Sequence, residues 1–190
     1  LAYMAANLAI NNKQSDYAKN IILGRKISPE YLSTSIWDLE MGYIKLHHLE
    51  TQEAAAYFQS FISKFRGNYY VKDASEKLSW CWYLQNNMTA AGAARQQAIS
   101  KGGTLTDADK QALKNAKGGK WPNMLLLKAR LLNDGGYNSD ALNVLMGKSA
   151  KDFSSASEQL EFAYRVGRIY DDMGRDDEAV RMYLLAIKLG

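Results

Sequence analysis

Small residues recur along the chain inside stretches whose apolar positions follow the three- and four-residue period of helices. An alanine stands at Ala18, Ala54, Ala91, Ala141 and Ala179, and twelve residues before each stands a second small residue, Ala6, Gly42, Ser79, Ala129 and Gly167. Two helices packed antiparallel at close range need small side chains where their axes approach, and a twelve-residue offset across a short turn sets such positions opposite one another. The pattern therefore predicts five helical hairpins, over about 1–27, 35–65, 72–100, 122–149 and 160–190. The long interval between Ala91 and Ala141 implies an insertion over 101–120. All of this is expected to form one domain over 1–190.

Composition narrows the fold class. Against 24 Ala and 22 Leu there are only 4 Val and 5 Thr, so the chain is expected to be all-α. A 47% hydrophobic, 23% charged chain has the means to bury a core, which excludes disorder, collagen and disulfide scaffolds. No apolar run, Met124 to Leu127 among them, approaches the length of a membrane span, so no transmembrane segment is expected in this sequence. The chain starts at Leu1 and its last helical pattern stops at Gly190 without a closing polar helix, so it is read as a piece of a longer protein. Cys81, flanked by Trp80 and Trp82, is expected to be a buried, inert thiol, which leaves the redox compartment undefined.

Boundary signals fall at the edges of these units. Ser28-Pro29, Trp121-Pro122 and the capping-box pair Ser155 and Glu158 each mark a helix start. Inside the insertion, Thr106 is a candidate N-cap for a polar helix near 104–117, flanked by Gly102-Gly103 and Gly118-Gly119. This extra helix is placed on the rim, on glycine hinges, and brings the expected total to about eleven.

The spacing Gly167, Tyr170, Gly174, Ala179, Tyr183 and Ala186 in the last unit resembles the tetratricopeptide repeat, a family of helix-turn-helix units. The second unit carries Gly42, Ala54 and Phe58 at the matching places, and the fourth carries Ala129, Gly136, Ala141 and Leu145. Arg25, Arg95 and Lys148 depart from the pattern, so the repeats are degenerate. The resemblance implies a right-handed α-solenoid of about five antiparallel repeats and a non-enzymatic scaffold for protein–protein interaction. The joint from Phe65 to Ala74 is similar to junctions in family members that assist assembly at bacterial cell envelopes. That points to the periplasmic side of an envelope, with the cytoplasm as the alternative.

The same resemblance implies a binding groove lined by the first helix of each unit, which would hold a peptide or partner helix. The positions carried over are Leu39, Tyr43 and His47, then Glu76, Trp80 and Tyr83, then Leu126, Arg130 and Asn133, then Tyr164, Arg168 and Asp171. Aromatic and arginine side chains of this kind are enriched at interface hot spots. The family's clamp for C-terminal carboxylates is not matched, because Tyr43 and Trp80 stand where it needs Asn and Lys or Arg.

Candidate chemistry changes little. His47 and His48 are adjacent, so they point about 100° apart on a helix and cannot share a metal. Asp171, Asp172, Asp176 and Asp177 lack the spacing of a calcium loop, and the glycine pairs lack the context of a phosphate loop. Asp107 and Asp109 read as first-turn charges. No catalytic residues, no metal and no cofactor are expected, and the protein is not expected to be an enzyme.

Charge is localised. Lys101, Lys110, Lys114, Lys117, Lys120, Lys128 and Arg130 face only Asp107 and Asp109 over that stretch, and the rest of the chain is nearly neutral. Lys110, Lys114 and Lys117 share one helical face and form a basic surface, so nucleic acid or another anionic polymer is the alternative partner. Nucleic acid is disfavoured, because no aromatic residue interleaves these lysines. The apolar end at the last repeat also suggests self-association there.

Overall fold

The computed structural model describes residues 2–24 and 34–190. Ser28-Pro29 and Arg25 lie outside the described residues. Among the described residues the chain forms eleven α-helices and no strand, in line with its alanine- and leucine-rich, valine-poor composition. Ten helices come in consecutive pairs. These are α1 (Ala2–Asn11) with α2 (Ser15–Gly24), α3 (Thr34–His47) with α4 (Thr51–Lys64), and α5 (Val71–Leu84) with α6 (Met88–Ser100). After α7 (Asp107–Gly118) follow α8 (Met124–Asp134) with α9 (Asn138–Val144), and α10 (Ala156–Asp172) with α11 (Asp176–Leu189). A short 3-10 turn, Ala150–Asp152, precedes α10.

Each pair is joined by three residues, and the five turns are built alike. The middle residue, Lys13, Leu49, Asn86, Gly136 or Gly174, has a positive φ between 59 and 88°. The N–H of the third, Gln14, Glu50, Asn87, Tyr137 or Arg175, donates to the carbonyl five residues back, at 2.9 Å in every case. This is the Schellman closure, which satisfies late carbonyls of the first helix while a left-handed residue redirects the chain. Glycine adopts that conformation freely, whereas a side chain there costs about 1–2 kcal/mol. Three of the turns carry that cost.

All ten small residues of the repeating pattern are buried. Contacts across the pairs run in opposite directions. Asp38 meets Ser60 at 2.5 Å, and Lys45 meets Glu53 at 2.7 Å, so α3 and α4 are antiparallel. The small residue serves a more specific purpose than facing the alanine. A Cβ on Gly42 would lie 2.7 Å from the Phe58 ring, and one on Gly167 would lie 2.8 Å from Tyr183. Each glycine makes room for a ring one turn beyond the alanine of the second helix.

The chain divides into two compact units, Leu1–Trp121 and Pro122–Gly190. In the first, α1, α3 and α5 touch in succession, α2 packs on α3, α4 packs on α5, and α7 packs on α5 and α6. Its core around α1, α2 and α3 includes Ala6, Ile10, Ala18, Ile22, Trp37 and Ile44. In the second, α10 packs on α8, α9 and α11, and Phe153 lies against Phe162 with ring centres 5.0 Å apart.

The predicted caps are largely in place. The Thr106 hydroxyl accepts the Asp109 N–H at 3.0 Å, and Ser155 with Glu158 forms a reciprocal capping box. Pro122 differs from expectation, since it stands before the cap: Asn123 accepts the Leu125 N–H at 3.0 Å and α8 begins at Met124. The rim helix also needs correction. Asp109, Ala112 and Ala116 of α7 are buried, so α7 is docked on α5 and α6 and is not hinged freely on its glycines.

Because the Phe58 ring is wholly buried and cannot yield, Gly42→Ala is expected to destabilise by about 1–2 kcal/mol although alanine is the better helix former. Gly92 also sits inside a helix, but nothing lies within 4 Å of its missing Cβ. Gly92→Ala is therefore expected to stabilise by up to about 1 kcal/mol. Urea unfolding of the two variants checks the pair, and equal effects would refute the close-approach account.

Candidate functional site

α5 is the polar centre of the first unit. Lys72, Asp73, Ser75, Glu76 and Ser79 are all buried on it, and buried polar groups must find partners or cost stability. The partners come from the surrounding helices. The Lys72 ammonium donates to the carbonyls of Ala98 and Ile99 at 3.0 and 2.9 Å, at the C-terminal end of α6, where a cation is favoured by the helix dipole. The Tyr43 hydroxyl of α3 donates to Asp73. Lys77 donates to Asp73 at 2.8 Å and to Glu76 at 2.9 Å, while its ammonium stands 4.2 Å from the Trp80 ring centre. Asn115 of α7 donates to Glu76 at 2.7 Å.

Asp109 is the clearest departure from the first-turn reading. Tyr70, the N-cap of α5, has a φ of 60° and no side-chain cap bond of its own. The Asp109 carboxylate supplies the missing acceptor by taking the N–H groups of Tyr70 at 2.8 Å and Asp73 at 3.2 Å. A carboxylate at a helix N-terminus satisfies orphan donors and the dipole together. The inserted helix thus caps a helix distant in sequence.

Of the twelve groove positions, the structure brings Tyr43, Glu76 and Trp80 together through Asp73 and Lys77. Tyr83 is next on the same helix, and its ring stacks on Trp121 with centres 5.0 Å apart. The Arg95 guanidinium lies 3.3 Å from the Trp121 ring centre and donates to the carbonyls of Gly119 and Lys120. Arg95, a departure from the repeat pattern, ties down the end of the insertion. His47 meets Ser15 of α2 at 3.0 Å.

Four of the twelve positions are buried. Leu39 is in the core, and Leu126 and Asn133 are fully buried. Leu126 and Asn133 are seven residues apart and so share the inward face of α8; Asn133 donates to Asn138 and Asp172 and accepts from Arg165. Glu76 is also buried, beneath the helix that was expected at the rim. In the second unit, Arg130 of α8 lies 3.9 Å from Glu161. On α10, Arg168 donates to the exposed Tyr164 hydroxyl at 3.3 Å, and Asp171 accepts from Tyr183 at 3.0 Å.

Lys110, Lys114 and Lys117 are exposed on α7, with Lys110 paired to Asp107 at 2.8 Å. Val180, Leu184 and Ile187 form an exposed apolar row on α11. Beside it, Leu160, Tyr164, Arg165 and Ala186 line an open cleft of about 680 Å³. Cys81 is buried, and burial pushes its thiol well up. Among the described residues no three His, Cys, Asp or Glu side chains converge as a metal site.

The group that no sequence pattern indicated is Glu40 of α3. It is only 1% exposed; Oε1 accepts from Asn7 of α1 at 3.1 Å, and Oε2 has no hydrogen-bond partner. Burial pushes its carboxyl from 4.5 up to about 7, against the lowering effect of the Asn7 bond. Tyr3, Tyr43 and Tyr70 all feel its charge.

No protein-family model matches the chain, and no curated protein or solved structure matches it.

The Glu40 shift sets a pH dependence. The folded carboxyl keeps its proton up to about pH 7, whereas the unfolded one releases it near 4.5, so the folded state loses stability as pH rises between those values. Glu40→Gln keeps the Asn7 acceptor and removes the charge. The variant is expected to match wild type at pH 4 and to exceed it by about 1–3 kcal/mol at pH 8. Denaturant unfolding at both pH values checks this, and a constant difference would place the pH dependence elsewhere.

Proposed function

We propose that the chain is a degenerate tetratricopeptide-like array, a right-handed α-solenoid serving as a non-enzymatic protein-interaction scaffold. It docks a peptide or partner helix along the first helices of its hairpins. The observation that carries this reading is the set of five matching turns, each with its left-handed residue five positions before the repeated alanine. Five copies of one supersecondary unit are what a stacked repeat protein requires. The docking side of the first unit is the α1, α3 and α5 layer, where Tyr43, Trp80 and Tyr83 are only partly buried. Tyr164 and Arg168 are the corresponding anchors in the second unit.

Trp80→Ala removes aromatic area while leaving the Asp73–Lys77–Glu76 bonds. It is expected to weaken capture of the bound protein in cross-linking by tenfold or more, with the melting temperature lowered by only a few degrees. Unchanged capture by the folded variant would remove this layer as the docking side.

A second reading, binding of an anionic polymer, is favoured by the exposed Lys110, Lys114 and Lys117 on the outer side of α7. Three phosphate contacts would give a slope of about −2 to −3 in the logarithm of affinity against the logarithm of salt concentration. Heparin titrations at two salt concentrations measure it, and a flat response excludes this reading. The exposed row on α11 is the surface available for self-association.

A further inference from the structure

We infer that the exposed apolar row of α11 is a two-fold interface with a second copy of this chain. The two α11 helices lie antiparallel, Leu184 meets its own counterpart, and Val180 of each copy enters the cleft beside Ile187 of the other. The inference deepens the self-association reading of that row and is independent of what docks on the first unit.

Three features of the second unit support it. The first is the surface itself. Val180, Leu184 and Ile187 are 55, 61 and 77% exposed, and their spacing of four and three residues sets them in one stripe two turns long. The opposite face of α11 packs on α10 and carries the buried Ala179 and Ala186. A continuous apolar stripe on a helix that already has its core face filled marks a contact surface, whereas single exposed apolar residues do not.

The second feature is a recess beside the stripe. At the Ile187 end, Leu160 and Tyr164 of α10 and Ala186 and Ile187 of α11 line the open cleft of about 680 Å³. Val180 and Ile187 lie four and three residues to either side of Leu184. Reversing the helix about Leu184 therefore brings Val180 of the second copy level with Ile187 and its cleft. Each copy offers both a projecting side chain and a recess, and a single two-fold operation fills both recesses.

The third feature is charge. α11 opens on Asp176, Asp177 and Glu178 and carries Lys188 in its last turn. A parallel pair would set two acidic turns side by side, whereas an antiparallel pair sets each acidic turn toward the Lys188 end of the other copy and opposes the helix dipoles. Glu178 is held by Arg175 at 2.6 Å, and Arg181 donates to the Asp177 carbonyl at 3.3 Å, so both are engaged within their own chain. Asp177 and Lys188 are exposed, stand three turns apart and share one flank of the stripe. A two-fold axis brings like flanks together, so Asp177 of each copy faces Lys188 of the other.

The test is sedimentation equilibrium of the full chain, joined to disulfide trapping with copper phenanthroline. The wild-type mass is expected to rise from 21.3 kDa toward twice that value with concentration, and Leu184→Glu is expected to stay at 21.3 kDa with its helix content unchanged. Leu8→Glu, which alters an exposed apolar position on α1, is expected to pair as wild type does. Leu184→Cys is expected to form a disulfide dimer by itself, because Cys81 is buried and does not compete. Val180→Cys and Ile187→Cys are expected to do so only when mixed. A wild-type mass that stays at 21.3 kDa to millimolar concentration would overturn the inference and the self-association reading together. Pairing that survives Leu184→Glu would overturn the row as the interface. Growth beyond the dimer, lost in Leu8→Glu, would mean that α11 meets α1 of the next copy head to tail and would overturn the two-fold arrangement. Disulfide dimers of Val180→Cys or Ile187→Cys alone would overturn the antiparallel register and leave the row as the interface.

Discussion

Two helices that reverse direction through three residues must lie close together, and that closeness governs the rest of the molecule. The turn requires a left-handed middle residue, and the helices that leave it approach where side chains are smallest. A ring then fills the space that a glycine leaves, as Phe58 does over Gly42 and Tyr183 over Gly167. Local geometry and core packing therefore impose the same repeat on the chain from two sides. Agreement between levels of this kind lets divergent sequences keep one shape.

Much of this was legible in the residues. The alanine and small-residue pairs gave the hairpins, and Thr106 and the Ser155–Glu158 pair gave helix starts, because caps and close approaches are local and leave fixed spacings. Only Gly136 and Gly174 announced the turns, since Lys13, Leu49 and Asn86 occupy the same left-handed position against their own preference. Leu126 and Asn133 were misplaced because carrying a groove over by repeat position ignores which face of α8 points inward. Glu40 left no mark, and Asp109 read only as a first-turn charge of its own helix. Their surroundings are assembled from helices more than thirty residues away, through Asn7 for one and Tyr70 and Asp73 for the other.

The insertion shows how a departure from a repeat can become part of the structure. At its start, Gly103 donates to the Asn68 carbonyl at 2.7 Å. A Cβ on Gly102, where φ is +73°, would stand 2.6 Å from Val71, so only glycine lets the chain pass so close to α5. At its end, Trp121 is held by the Tyr83 ring and the Arg95 guanidinium. Arg95 occupies the place that Phe58 and Tyr183 hold in their hairpins, and it exchanges a buried ring for a grip on the inserted segment. With both ends fixed, α7 can deliver Asp109 and Asn115 to α5.

That attachment ties the lysine row of α7 to the buried acids of α5. α7 presents Lys110, Lys114 and Lys117 to solvent, while its opposite face supports Asp73 and Glu76, which are buried on α5. The lysine row therefore cannot shift without disturbing the α5 cap and the Glu76 partner. Conversely, the buried N-terminal half of α5 is held in place by a helix whose outer side carries a row of ammonium groups, so one insertion joins a polar interior to a basic exterior.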